Sequence, residues 1–265
     1  MPELPEVESA RSVLERSALG RRIVAADDTD GWVCRPHPPG EIALALVGTE
    51  LTAAHRRGKT LWCDTPGGPV LGIHLGMSGK IVIADADGRE VDGGDHWEFG
   101  RQPGDFRFSR FSLDFADGGV LHLVDPRRLG RIRLDPPLDA LGPDAALVTA
   151  AEFGERLGWS RAPVKARLLD QHVVAGIGNL LADEILWRAG LVPGRPVDGL
   201  TPAERRRLHR TVRSTVDDAL HDGGVHTLPL VPHRRPGGRC PRDDAELCRA
   251  TVGGRTTFWC PAHQR

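Results

Sequence analysis

LLDQHVVAGIGNLLADEILWRAGL, residues 168–191, decides how the chain is read. Gly176 and Gly178 free the backbone for a tight turn. The apolar run behind them predicts a helix over about 180–189. Asn179 stands where an N-cap is wanted, and the amide N–H groups that open such a helix form a natural phosphate seat. Outward from this segment, helical patterns are expected at about 150–157, 163–171 and 202–221. Thr201-Pro202-Ala203-Glu204 carries the start signal of the last one: an N-cap candidate, Pro at the first position and Glu at the third. Residues 222–239 read as loop.

Upstream the pattern changes. Between Ile23 and Leu134, short stretches with strand character follow one another: Lys59–Cys63, Val70–His74, Lys80–Ala84, Phe106–Phe115 and Val120–Val124. Gly, Asp and Pro separate them. Phe111, Leu113 and Phe115 alternate as one face of a half-buried sheet does. Residues 85–105, rich in Gly and Asp, predict a surface excursion. A first helix is expected from Glu6 to about Leu19. Pro136-Pro137 marks the change from strands to helices. The expected domains are therefore 1–136, 137–232 and a terminal hairpin over 233–265, in an α+β chain.

The 265 residues carry a net charge of −1, unevenly spread. Residues 151–265 hold 18 Lys and Arg against 13 Asp and Glu, while 1–150 hold 17 against 23. A basic C-terminal half can engage phosphates, although a solvated arginine-rich helix face has the same composition. No apolar run approaches a membrane span, and MPELPEVESA lacks the basic start and apolar stretch of a signal peptide; a cytoplasmic protein with no membrane partner is expected. Three of five cysteines (Cys240, Cys248, Cys260) fall near the C-terminus, which suggests metal before disulfides. Cys34 and Cys63 read as packing thiols.

The N-terminus holds the reactive candidate. Pro2 has a small side chain that favours removal of Met1, which exposes a secondary amine. An α-amine titrates near ~7.7–8.0, so it can attack carbon at neutral pH and form an iminium. Glu3 stands next to it for proton transfer, and Glu6 opens the helix, where a carboxylate suits the dipole. On the residues alone, PELPEVE also fits an acidic helix lead-in.

MPELPEVE, RRGKTLW (56–62), HLGMSG (74–79), DPRRLG (125–130), the 168–191 segment and the Cys-bearing end at 240–263 occur in one order along nearly the whole chain. Together they resemble the formamidopyrimidine-DNA glycosylase/endonuclease VIII family. The resemblance implies a β-sandwich N-terminal domain that begins with a catalytic helix, then a helical domain with a helix–two-turn–helix element and a zinc-type β-hairpin. It implies a monomeric bifunctional DNA glycosylase/AP lyase of base excision repair, acting on damaged double-stranded DNA held between the domains. Pro2 is then the nucleophile, Glu3 the general acid/base, Glu6 a supporting residue and Lys59 a phosphate contact. Met77, Arg127 and Leu129 would fill the space of a flipped nucleotide; Leu129 stands where the family more often has Phe. Asn179 and Arg255 would grip phosphate.

The family's hairpin carries two cysteine pairs. Here Cys240 and Asp243 occupy the first and Cys260 and His263 the second, a donor set for one structural zinc ion, with Cys248 as the alternative to Asp243. Two lesion classes stay open. Met77 and DPRR point to oxidised purines such as 8-oxoguanine and formamidopyrimidines; the 168–191 segment, and a 222–239 loop without a lesion-capping segment, tip the expectation towards an endonuclease VIII-like or broad oxidised-base enzyme. A non-catalytic damaged-DNA-binding protein is the rival of another kind.

Overall fold

The computed structural model describes residues 2–96 and 102–265. The chain divides into two compact units. The first contains residues 6–138 with Pro2; the second contains Glu3–Pro5 with residues 139–265.

In the first unit, α1 (Leu4–Ser17) is followed by β1 (Ile23–Asp27), the short helix α2 (Glu41–Leu46), β2 (Ala53–Arg57), β3 (Thr60–Asp64), β4 (Leu71–His74), β5 (Lys80–Ala84), β6 (Glu90–Gly94), β7 (Ser109–Phe115), β8 (Val120–Val124) and β9 (Arg131–Leu134). The strands make two antiparallel sheets, ordered β1-β7-β8-β5-β6 and β2-β3-β4-β9. Alternation builds the core. Phe111, Leu113 and Phe115 from one sheet, Leu61, Ile73 and Ile132 from the other, and Val7, Val13 and Leu14 of α1 share one buried cluster. Burying side chains of this size contributes about 1.5–3 kcal/mol each.

Three expectations change here. The 85–105 excursion contains an edge strand, β6, whose two glycines suit a tight approach: a Cβ on Gly93 would lie 2.6 Å from the Ser9 carbonyl oxygen. Residues Phe106 and Phe108 precede β7 and pack on Val82 and Val124 instead of extending the strand. EIALAL forms a helix within the strand-rich region. Ile42 and Leu46, one turn apart, are buried, and the Asp28 carboxylate accepts the N–H groups of Gly40, Ile42 and Ala43 at 2.7, 2.9 and 3.2 Å.

The second unit holds α3 (Ala150–Leu157), α4 (Val164–Leu169), α5 (Asn179–Ala189), α6 (Pro202–His221) and the hairpin β10 (Cys248–Val252) with β11 (Arg255–Trp259). Capping boxes start α3 at Thr149/Glu152 and α6 at Thr201/Glu204. Their core gathers Phe153, Leu168, Leu181, Ile185, Leu208 and Val212, together with Leu4. Among the described residues, no helix is long and apolar enough to cross a membrane.

Candidate active site and metal centre

Glu3 is fully buried. Its carboxylate accepts three backbone N–H groups at the start of α5: Gly178 at 2.9 Å, Leu180 at 2.8 Å and Leu181 at 3.0 Å. The Leu4 N–H donates to the Gly176 carbonyl at 3.1 Å. The tight glycine turn thus serves a purpose beyond bending the chain. A Cβ on Gly178 would sit 2.3 Å from the Glu3 Cδ, so glycine leaves the room the carboxylate occupies. Pro2, buried itself, precedes this anchored residue.

The same contacts correct the reading of Asn179. The cap position belongs to Gly178, and Asn179 is the first helical residue. Three of the amides expected to seat a phosphate are taken by Glu3. The Asn179 side chain instead donates from Nδ2 to the Thr256 carbonyl at 3.0 Å, and its Oδ1 is buried without a partner.

Lys59 lies with Gly58, at φ +58°, in the two-residue loop closed by the Arg57–Thr60 pair. Its charge, together with burial, holds the His74 imidazole below its usual pKa, burial being the larger cause. His74 Nδ1 accepts the Gly76 N–H at 3.0 Å.

HLGMSG and DPRRLG pack backbone against backbone. A Cβ on Gly76, at φ +63°, would fall 2.4 Å from the Leu129 carbonyl carbon. The buried Asp125 ties both loops. Its Oδ1 accepts from the Ser78 hydroxyl at 2.6 Å and the Arg127 N–H at 3.1 Å, and its Oδ2 from the Gly130 N–H at 2.7 Å. From this fixed base Met77 and Leu129 protrude, 37% and 38% exposed. The two arginines differ. Arg128, in a left-handed conformation at φ 53°, forms a forked pair with Asp30 at 2.8 and 2.9 Å. The Arg127 side chain is exposed.

The hairpin turns at Gly253-Gly254, with φ +59° and +71°. This is the primed geometry that two-residue hairpins favour. Arg255 is exposed just beyond it. Buried charge fastens the hairpin to α5, a feature that sequence reasoning missed. Asp183 pairs with Lys165 at 2.6 Å and Arg234 at 2.8 Å and accepts the Phe258 N–H at 3.1 Å. Lys165 Nζ also reaches the Thr257 hydroxyl at 2.7 Å. Burial is the largest influence on the Lys165 amine and lowers its pKa, against the raising effect of Asp183. Lys165 and Asp183 gave little warning, since a charged residue inside a helical pattern ordinarily faces solvent.

Cys240, Asp243, Cys260 and His263 come together, with their ligand atoms all within 4.8 Å of one another. Asp243 Oδ2 lies 3.6 Å from Cys240 Sγ and 3.4 Å from Cys260 Sγ, and it contacts His263 Nδ1. Its carboxyl is held below the usual range, first by His263. The outer groups are in place as well. Trp187 of α5 donates its indole N–H to Cys240 Sγ at 3.2 Å, while His263 Nε2 meets the Trp187 carbonyl at 3.1 Å. An ion held here would take Nδ1. Two thiolates, one imidazole and one carboxylate suit a tetrahedral ion. Cys248, in β10 opposite Trp259, is not among the four residues whose ligand atoms gather.

The family model of the formamidopyrimidine-DNA glycosylase N-terminal domain matches residues 1–132, and that of the formamidopyrimidine-DNA glycosylase H2TH domain matches residues 140–228. The chain is 34% identical to a formamidopyrimidine-DNA glycosylase of Chloroflexus aurantiacus, over all of this chain and 98% of the relative. It is 32% identical to one of Arabidopsis thaliana, over all of this chain and 71% of the relative. Among solved structures it is similar to Lactococcus lactis Fpg in complex with abasic-site DNA, with a TM-score of 0.83 and 27% identity over 99% of both chains. A complex of the Lactococcus lactis protein with DNA containing an oxidised pyrimidine gives the same TM-score and identity over both whole chains. Two matched domains in their order, and relatives spanning its whole length, place this chain in the formamidopyrimidine-DNA glycosylase family.

Proposed function

We propose that this chain is a bifunctional DNA glycosylase/AP lyase of base excision repair that uses the Pro2 amine as its nucleophile. The observation that carries the reading is the anchoring of Glu3 by three amides of α5. A flexible N-terminal peptide could not present an amine reproducibly, and fixing its neighbour supplies the orientation that covalent catalysis needs. Once Met1 is removed, the Pro2 nitrogen attacks C1′ of the flipped nucleotide and the damaged base leaves with its bonding electrons. Glu3 exchanges a proton with the opening sugar ring, and Glu6 supports the site. Loss of the C2′ proton expels the 3′ phosphate by β-elimination, and δ-elimination then releases the 5′ phosphate.

Met77 and Leu129 fill the vacated stack and Arg127 offers donors to the orphaned base. The fixed base that Asp125 gives these loops suits that task. Lys59, Asn179 and Arg255 hold backbone phosphate, Asn179 with the second N–H of a side-chain amide whose first is directed to Thr256. A single zinc ion on Cys240, Asp243, Cys260 and His263 would supply folding energy to the hairpin. The enzyme is inferred to act as a cytoplasmic, nucleoid-associated monomer on damaged duplex DNA.

The relatives' names and the Met77/Arg127 loop pair weigh towards oxidised purines. Single-turnover excision of 8-oxoguanine and of an oxidised pyrimidine from matched duplexes separates this from a broader range. Borohydride trapping on an abasic-site duplex tests the reaction class. A covalent complex whose modified peptide begins at Pro2 is expected. No complex with native protein, or an intact mass that retains Met1, overturns the Pro2 mechanism, and duplex binding without trapping would leave the non-catalytic reading in its place.

A further inference from the structure

The outward face of the four-stranded sheet carries a cleft of about 210 Å³. Leu61, Ile73 and Ile132 turn inward to the core. Strand alternation therefore turns Thr60, His74, Arg131 and Arg133 outward. The pairings Thr60–His74 and His74–Arg131 form one row across the sheet, and Gly72–Arg133 lies in the next. All of these residues line the cleft. Pro136 closes one wall: a Cβ on Gly72 would lie 2.6 Å from its Cγ. Asp135, at φ 48°, bends the chain to bring Pro136 there, with its carboxylate turned to the Val70 N–H at 2.9 Å.

The chemistry of the lining is one-sided. Among the described residues, no carboxylate lines the cleft. Arg133 Nε is buried without a hydrogen-bond partner, and a buried guanidinium donor left unpaired is costly. Arg131 donates one N–H to the Gly130 carbonyl at 2.6 Å and has its guanidinium carbon 5.5 Å from the Trp32 ring centre, so it is held in place while keeping donors to spare. His74 accepts at Nδ1, which puts the proton of its neutral ring on Nε2 as a further donor. Two guanidiniums, a hydroxyl and an imidazole N–H around a small cleft match a phosphate oxyanion.

We propose that Arg131 and Arg133 form an additional phosphate subsite that takes a backbone phosphodiester of the DNA duplex, continuing along the sheet from the Lys59 loop. The assignment to DNA rests on the proposed function; the affinity for phosphate does not. The test compares wild type with Arg133→Gln, Arg131→Gln and Arg133→Lys. Fluorescence anisotropy measures binding to a duplex containing a tetrahydrofuran abasic analogue over a series of salt concentrations. Calorimetric titration with inorganic phosphate is run alongside. One lost phosphate contact flattens the slope of log K against log salt by about 0.9. That change is expected for Arg133→Gln, with a smaller one for Arg133→Lys, which keeps the charge and loses the fork. The phosphate heat should fall in both Gln variants. An unchanged slope with lost phosphate heat assigns the cleft to free phosphate and overturns the DNA contact. An unchanged slope with unchanged heat overturns the subsite altogether. If wild type does not bind the duplex, the proposed function fails while the phosphate titration still decides the cleft.

Discussion

Glu3→Gln is the sharpest probe of how the site is built, because it keeps the shape of the side chain and changes its charge and hydrogen-bonding pattern. In the native protein Oε2 takes the Gly178 and Leu181 N–H groups and Oε1 takes that of Leu180. A glutamine can keep the first pair on its single oxygen. Its NH2 group then faces the Leu180 N–H across 2.8 Å, a donor against a donor inside the protein. Leaving such a group unpaired costs about 1–3 kcal/mol, and each retained bond weakens by about 1 kcal/mol when its acceptor loses its charge. With partial relaxation the net loss is roughly 2–4 kcal/mol, a drop in melting temperature of roughly 5–15 °C for a chain of this size. Calorimetry reads the shift, and amide hydrogen exchange locates it at Leu180 and Leu181. A partner variant sharpens the test. Gly178 has an ordinary φ of −114° and the nearest atoms to an added Cβ are those of Glu3, so Gly178→Ala should cost much less in a Glu3→Ala background. Melting within about 1 kcal/mol of wild type, with unchanged exchange at both leucines, would refute the idea that this carboxylate anchors the N-terminal peptide.

Metal analysis should find one zinc per wild-type chain, loss in Asp243→Ala and no change in Cys248→Ala; full occupancy in Asp243→Ala would remove the carboxylate from the ligand set. Burial pushes the Cys34 and Cys63 thiols up to about 12, so a thiol reagent at pH 8 should modify neither until the protein unfolds, and rapid labelling of either counts against this packing. Glu204 is held down to about 2, first by Arg195 and then by its capping contacts. A depressed carboxylate stabilises the fold above its unfolded value of 4.5 and loses that contribution as pH falls towards 2. Glu204→Gln should therefore destabilise α6 by about 1 kcal/mol at pH 7 and by almost nothing near pH 2, as read in paired melts; an equal deficit at both values would contradict the linkage.

Local pattern carried far in this chain. Lys80–Ala84 and Val120–Val124 occupy the spans their alternation indicated, and α3 and α6 end where their periodicity and caps set them. What stayed hidden depends on partners remote in sequence. EIALAL is too short for its period to be told from a strand, and its helix is started by Asp28, well outside it. Asn179 looked like a cap because the true acceptor, Glu3, lies 175 residues away. The Cys240, Asp243, Cys260 and His263 group was readable from spacing, but that Cys248 stands apart from it needed three dimensions. Asp125 could be seen only as part of a motif, and its hold on two loops needed three dimensions.

The distance between Glu3 and its anchors also has a meaning in time. The N-terminal peptide leaves the ribosome first, whereas Gly178, Leu180 and Leu181 are made much later. At about 5–20 residues per second, a gap of 175 residues amounts to roughly 10–35 s. Throughout that interval Glu3 lacks the helix amides that will hold it. The order of synthesis thus makes the anchoring of Glu3 a late event, which cannot precede the synthesis of α5.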